Sequence, residues 1–157
     1  MREALHKPVV ELLVISVTSP MLVGIYEKGR LLETFLYDEK TSKALPPLLH
    51  QVRYNYHLKS LFYAKGPGSF MAIKVTYVML KTFSIALNIP LYATDAFAFN
   101  GNQPIKAIGT SCFVKRNGEI VIEKECESTD GRFTLPQQID YELFVDETEP
   151  LYILPAV

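Results

Sequence analysis

From Val9 to Val17 the chain is an almost continuous run of Val, Ile and Leu, broken only by Glu11 and Ser16. A run this short and this apolar has no polar face to turn to water, so it reads as the central strand of a sheet covered on both sides. Ser19-Pro20 then turns the chain into a second strand, Met21 to Tyr26, and Lys28-Gly29 turns it into a third, Arg30 to Tyr37. In the third strand Leu32, Thr34 and Leu36 lie on one face and Leu31, Glu33 and Phe35 on the other, the two-residue period of a sheet. Connections this short make the three strands an antiparallel meander.

After the meander the period changes. Thr41 and Ser42 are candidate N-caps for a helix to about Tyr54 with the apolar stripe Leu45, Leu48, Leu49 and Val52, and Pro46-Pro47 fit only near its first turn. Leu58 to Ala64 returns as a strand, which Gly66-Pro67-Gly68 ends. Ser69 caps a long helix to about Leu87, where Asn88 suits the C-terminal cap. Pro90 to Thr94 is a further strand, and Asp95 starts a short helical segment to Asn100. Three strands, then helix, strand, helix, strand and helix, predict an α/β fold with a mixed sheet flanked by helices.

Gly101-Asn102-Gln103-Pro104 reads as a linker, which divides the chain into residues 1–100 and 101–157. In the second part, Ile105 to Lys115 and Glu119 to Glu125 flank Arg116-Asn117-Gly118, a strong hairpin signal. Ser128 to Asp140 is polar and weakly patterned, and two extended pieces, Tyr141 to Val145 and Leu151 to Leu154, follow.

Composition narrows the function classes. The formal net charge is -1, so the whole molecule exerts no long-range pull on nucleic acid or an acidic membrane. Hydrophobic residues make up 48% and charged residues 21% of the 157, enough apolar surface for a real core. Cys112 and Cys126 have neither CxxC spacing nor histidines nearby, and read as isolated thiols of a reducing compartment. The segment Met1 to Pro8 lacks the apolar run of a signal peptide. No uninterrupted apolar stretch approaches the roughly 18–20 residues of a membrane span. The expectation is a soluble cytoplasmic protein with no membrane partner.

The long helix is apolar around most of its circumference. At about 100° per residue, Lys74 and Lys81 share a narrow strip, flanked by Phe70, Tyr77 and Ile85, while Met71, Val75, Val78, Met79, Leu80, Phe83, Ala86 and Leu87 spread over the rest. A helix lying on one sheet face needs a single apolar stripe. The surplus is either buried under neighbours in the same chain or offered to another protein, and so short a chain has few elements left to cover it.

The segment Lys65-Gly66-Pro67-Gly68-Ser69-Phe70-Met71-Ala72-Ile73-Lys74-Val75 resembles the GPGSF signature of the TsaB (YeaZ) family. The first-strand run Leu13 to Thr18, Lys43-Ala44-Leu45-Pro46, Ile89-Pro90-Leu91 and the closing Glu149-Pro150-Leu151-Tyr152-Ile153 are similar to further family patterns. The resemblance implies an actin-like, sugar-kinase-like ATPase fold, with an RNase H-like first lobe in residues 1–100 and an abridged second lobe in 101–157. It also implies a non-catalytic partner subunit of the machinery that makes threonylcarbamoyladenosine in tRNA. Such a subunit binds and orders the catalytic TsaD, the pair recruits the ATPase TsaE, and tRNA is met only indirectly.

On that reading the interface groups are Phe70, Ile73, Lys74, Tyr77, Val78 and Lys81, with a homodimer through the same helix as the alternative. Ser16, Gly66, Gly68 and Ser69 form a degenerate nucleotide or anion loop. Ser16 stands where active superfamily members carry the carboxylate that handles magnesium and phosphates, and a hydroxyl lacks the charge that magnesium favours. ATP binding is therefore expected to be weak or absent, with no cofactor and no metal; His6, His50 and His57 lack the four-residue spacing of a metal-holding pair. Met71-Ala72 stand where the family has Thr-Gly, and Lys74 replaces an arginine, keeping the charge but not the bidentate geometry. The rival class is a degenerate ATPase or kinase acting alone on a small molecule. A glycoprotease-like peptidase is disfavoured, because Ser69 reads as a helix cap and Cys112 as a strand residue.

Overall fold

The computed structural model describes residues 6–126 and 132–153. The apolar run becomes β1 (Val9–Ile15), and every residue of it after Val9 is buried. The strands β2 (Met21–Glu27) and β3 (Arg30–Tyr37) follow, then α1 (Thr41–Asn55), β4 (His57–Ala64), α2 (Phe70–Leu87) and β5 (Leu91–Thr94). One five-stranded sheet results, in the order β3-β2-β1-β4-β5. The meander is antiparallel as expected, while β4 lies parallel to both β1 and β5. Leu12, Leu13, Val14, Leu61 and Tyr63 are fully enclosed, which is why β1 and β4 carry no alternating polar face.

Both helices pack on one side of the sheet. In α1 the stripe Ala44, Leu45, Leu48, Leu49 and Val52 is buried, and Arg53 in the last turn suits the carbonyl end. Its start corrects the sequence reading. The cap residue is Lys40, whose carbonyl takes the amides of Lys43 and Ala44, and no side chain caps the helix. Thr41 is turned into the core instead. Pro46 and Pro47 lie in the second turn on the exposed side, where the carbonyls that their missing N–H groups leave free can reach water. At the end of α2, Asn88 takes the left-handed conformation (φ 55°, ψ 49°), the conformation a helix-ending Asn suits. By length and composition Phe70–Leu87 is apolar enough to cross a membrane, which a count of uninterrupted apolar residues misses. In the fold this helix lies along the sheet with Ile73, Thr76 and Leu80 buried.

Asp95 accepts from the Phe97 amide at 3.0 Å and starts the short 3-10 helix Ala96–Phe99, as its position suggests. Beyond it β6 (Ile105–Lys106), β7 (Cys112–Arg116) and β8 (Glu119–Glu123) form a separate three-stranded antiparallel sheet. The single arm expected from Ile105 to Lys115 is broken by a turn at Gly109 (φ 63°), closed by the Ala107 amide on the Ser111 carbonyl at 2.9 Å. Lys115 pairs with Asp95 at 2.5 Å and ties this sheet to the first.

The isolated-thiol reading is corrected. Cys112 and Cys126 form a disulfide, their Cα atoms 5.9 Å apart. The hairpin folds β8 back along β7 with Cys112 opposite Glu123, so a separation of 14 in sequence closes to contact in space. The cysteines therefore give no argument for a reducing compartment.

Residues 132–153 serve the five-stranded sheet. Alternation along β4 separates Tyr63, which faces α2, from Phe62, which faces the other way, and the chain from Thr134 to Val145 crosses that second face. The Tyr26 hydroxyl donates to the Pro136 carbonyl (2.7 Å), the Leu31 amide to Gln137 and the Ile139 amide to the Gly29 carbonyl (2.9 Å each), and Phe62 packs edge-on against Phe144 (4.8 Å between ring centres). Val145 then exchanges backbone bonds with Ala93 on β5. Tyr141–Leu143 forms a 3-10 turn here, not the extended piece its sequence suggests, because Asp140 accepts the Glu142 amide at 3.2 Å. Of the extended piece Leu151 to Leu154, the last residue lies outside the described residues, as do Ser128 to Gly131 of the polar segment Ser128 to Asp140.

Several tyrosines of the fold have an ionisation that opposes folding. The Tyr56 hydroxyl donates to Glu33 at 2.6 Å, and that bond, with burial, pushes it up to about 12. Burial, helped by the bond to Glu11, pushes Tyr141 up to about 12, and burial raises Tyr26 and Tyr63 as well. In the unfolded chain these groups titrate near ~10. Their folded values are raised, so their contribution is complete below about pH 9 and is lost as pH climbs through about 10 toward about 12. Urea melts at pH 7.5, 8.5 and 11.5 should show an unchanged midpoint between the first two and a clear drop at the third.

Candidate functional site

The sharpest local geometry is the loop between β4 and α2. Gly68 lies so close to the end of β1 that a Cβ there would stand 2.5 Å from the Val17 carbonyl oxygen and 2.7 Å from the Val17 Cβ. Only glycine fits. The Ser69 amide donates to the same Val17 carbonyl at 2.8 Å, and the Gly66 carbonyl accepts from the Ala96 amide at 2.7 Å. Gly66, at φ 122°, packs against Leu151 and Ile73. Ser69 is the N-cap residue of α2, but by its carbonyl, which takes the Ile73 amide at 3.0 Å, and not by its side chain. A loop whose first helical donor is already spent on Val17 is a clamp on β1 before it is an anion cradle.

Ser16 sits beneath this clamp. It is 2% exposed, and its hydroxyl shares a 2.7 Å hydrogen bond with that of Thr76 on the inner face of α2. The pair spends one hydroxyl proton on the other oxygen and supplies no charge, unlike the carboxylate expected at this position. A cleft of about 520 Å³ opens where α1 and α2 begin; Ser16 and Ser69 line it, together with Asp38, Glu39 and Lys40. Two carboxylates against one ammonium make a poor seat for a polyphosphate. Among the described residues no three His, Cys, Asp or Glu side chains gather where a metal could be held, and the three histidines do not converge.

The outer face of α2 is the second feature. Met71, Val78 and Ile85 are 71%, 53% and 72% exposed, one above the next at seven-residue spacing, with Lys74 and Lys81 exposed between them. Of the six residues expected at an interface, Lys74, Val78 and Lys81 are on this face, and Phe70 is at its edge with its ring against Tyr152, 5.2 Å between centres. Two belong elsewhere. Ile73 is 1% exposed and faces the sheet, so its place is the core. Tyr77 is half-buried, stacked on Tyr63 at 6.2 Å. Met71 and Ile85 were not among the expected interface groups. Ile73, Thr76 and Leu80 face inward, so the middle of the outer face lies nearer Val78 than the lysine strip.

An open mixed sheet in the order β3-β2-β1-β4-β5, with a meander leading into parallel strands and both helices on one face, is the RNase H-like lobe of the actin-like ATPase fold. Within that class the chain has the fold of YeaZ. It is similar to the structure of YeaZ from Pseudomonas aeruginosa, with a TM-score of 0.52 and 17% identity over 73% of this chain. It spans 64% of that protein's length. It is also similar to the crystal structure of an uncharacterized protein with similarity to peptidase YeaZ from Pseudomonas aeruginosa, with a TM-score of 0.54 and 15% identity, covering 95% of this chain and 85% of the other. No family model matches the sequence, and no curated protein does.

Proposed function

We propose that this chain is a non-catalytic partner subunit of the cytoplasmic machinery that makes threonylcarbamoyladenosine in tRNA, and that it binds and orders a TsaD-type catalytic subunit. The outer face of α2 carries the reading. Met71, Val78 and Ile85 form an apolar strip bordered by two lysines, the composition of a contact with an apolar centre and a charged rim. The GPGSF-like segment at the head of this helix and the YeaZ-like fold support the choice of partner. TsaE joins the pair, and tRNA contacts the assembly chiefly through the other subunits, consistent with a formal charge of -1.

The chain itself is a pseudo-enzyme on this reading. The Ser16 hydroxyl is bonded to Thr76 and brings no negative charge to a magnesium ion, which favours the partner role over an ATPase or kinase acting alone. Leaving this chain out of a reconstituted reaction with TsaD, TsaE and the donor-forming enzyme is expected to remove most of the tRNA modification. Undiminished modification without it rejects the role.

A further inference from the structure

On the sheet face opposite the helices, a carboxylate is buried without a cation. Glu11, in the middle of β1, is 5% exposed. Ser60 donates to its Oε2 at 2.5 Å and the Tyr141 hydroxyl to its Oε1. Neither donor carries charge, and no Lys or Arg among the described residues is paired with it. Two neutral donors leave about half of a carboxylate's acceptor sites open, and a buried charge without a counter-charge is costly in a low-dielectric interior.

Glu11 opens onto a cavity of about 330 Å³ walled by Phe62, Tyr92, Tyr141 and Phe144. That is the lower end of the size range of small-molecule sites, and aromatic walls favour organic cations through their ring faces. The cavity is built by two irregularities. Between Val10 and Glu11 the register with β4 shifts by one residue, and the extra residue is Lys59, which stands at the cavity rim. The strap supplies Tyr141 and Phe144 from the far end of the chain.

We propose that this cavity binds a small organic cation, a primary ammonium on a short apolar body, with the ammonium on the Glu11 carboxylate and the body among the rings. Lys59 at the rim selects against a second positive charge and competes weakly for Glu11. The site lies on the face away from α2 and is independent of the partner role.

Three compounds of one size test it on the full chain by calorimetry: 2-phenylethylamine, 2-phenylethanol and phenylacetate. The amine should bind at least tenfold more tightly than the alcohol, and phenylacetate should not bind. Glu11→Gln keeps the side-chain shape and should bring the amine down to the level of the alcohol. Lys59→Met should tighten the amine several-fold, and it carries the test if Glu11→Gln does not fold in circular dichroism. Equal binding of amine and alcohol, amine binding unchanged in folded Glu11→Gln, or no gain in Lys59→Met overturns the proposal.

Discussion

Val78→Glu combined with Ile85→Glu should abolish association with the proposed TsaD-type partner while the thermal melt stays within a degree or two of the unaltered chain. Both side chains are more than half exposed on α2, so the fold loses little when they become charged. At an interface each contributes on the order of 1.5–3 kcal/mol of apolar burial, and a carboxylate placed there without a partner costs more. The sum is at least about a hundredfold in affinity. Size exclusion with light scattering reads the assembly, and circular dichroism reads the fold. A double variant that still assembles moves the interface off this helix. Tyr77→Glu is unsuitable for the purpose, because Tyr77 stacks on Tyr63 and its loss would disturb the sheet itself.

Gly68→Ala should be the most damaging single substitution in the loop. The added methyl carbon would meet the Val17 carbonyl oxygen at 2.5 Å, on a backbone with φ 156°. Neither β1 nor the Ser69 amide bonded to the same oxygen can withdraw without opening the clamp. Overpacking and backbone strain together cost about 3 kcal/mol or more, roughly 10 °C in the melting temperature of a chain this size. Gly101→Ala is the control: its φ is 67° but nothing lies within 4 Å of the added carbon, so only the conformational cost of about 1 kcal/mol remains. Equal losses in the two variants would mean that the close approach to Val17 has no energetic weight.

Most of the first hundred residues were legible in the sequence because their signals are local. The apolar run of β1, the alternation in β3, the Asp95 cap and the Asn88 helix end each state their own structure, and each stands where it was expected. What was not legible depends on parts of the chain that are distant in sequence. Glu11 looked like an interruption in a strand, because its partners Ser60 and Tyr141 lie 49 and 130 residues away. Cys112 and Cys126 looked isolated until the hairpin aligned them. Residues 132–145 lack a period because they run across strands as a strap, held by backbone bonds and ring contacts that leave no regular pattern.

The candidate interface was legible in kind but turned on its axis. Helical spacing found the face with Lys74, Val78 and Lys81, yet placed Ile73 outside and left out Met71 and Ile85. Apolar periodicity alone cannot orient a helix that is apolar on two sides. In the structure Ile73 and Leu80 face the sheet, and Thr76 between them meets Ser16.

If this chain acts by binding and ordering a catalytic subunit, as proposed, add-back to a depleted reaction reads that role directly. A reconstituted tRNA threonylcarbamoylation reaction lacking this chain should recover when the unaltered protein is supplied, and stay near background when the folded Val78→Glu, Ile85→Glu variant is supplied instead. Equal recovery with both proteins, or full activity before either is added, would contradict it.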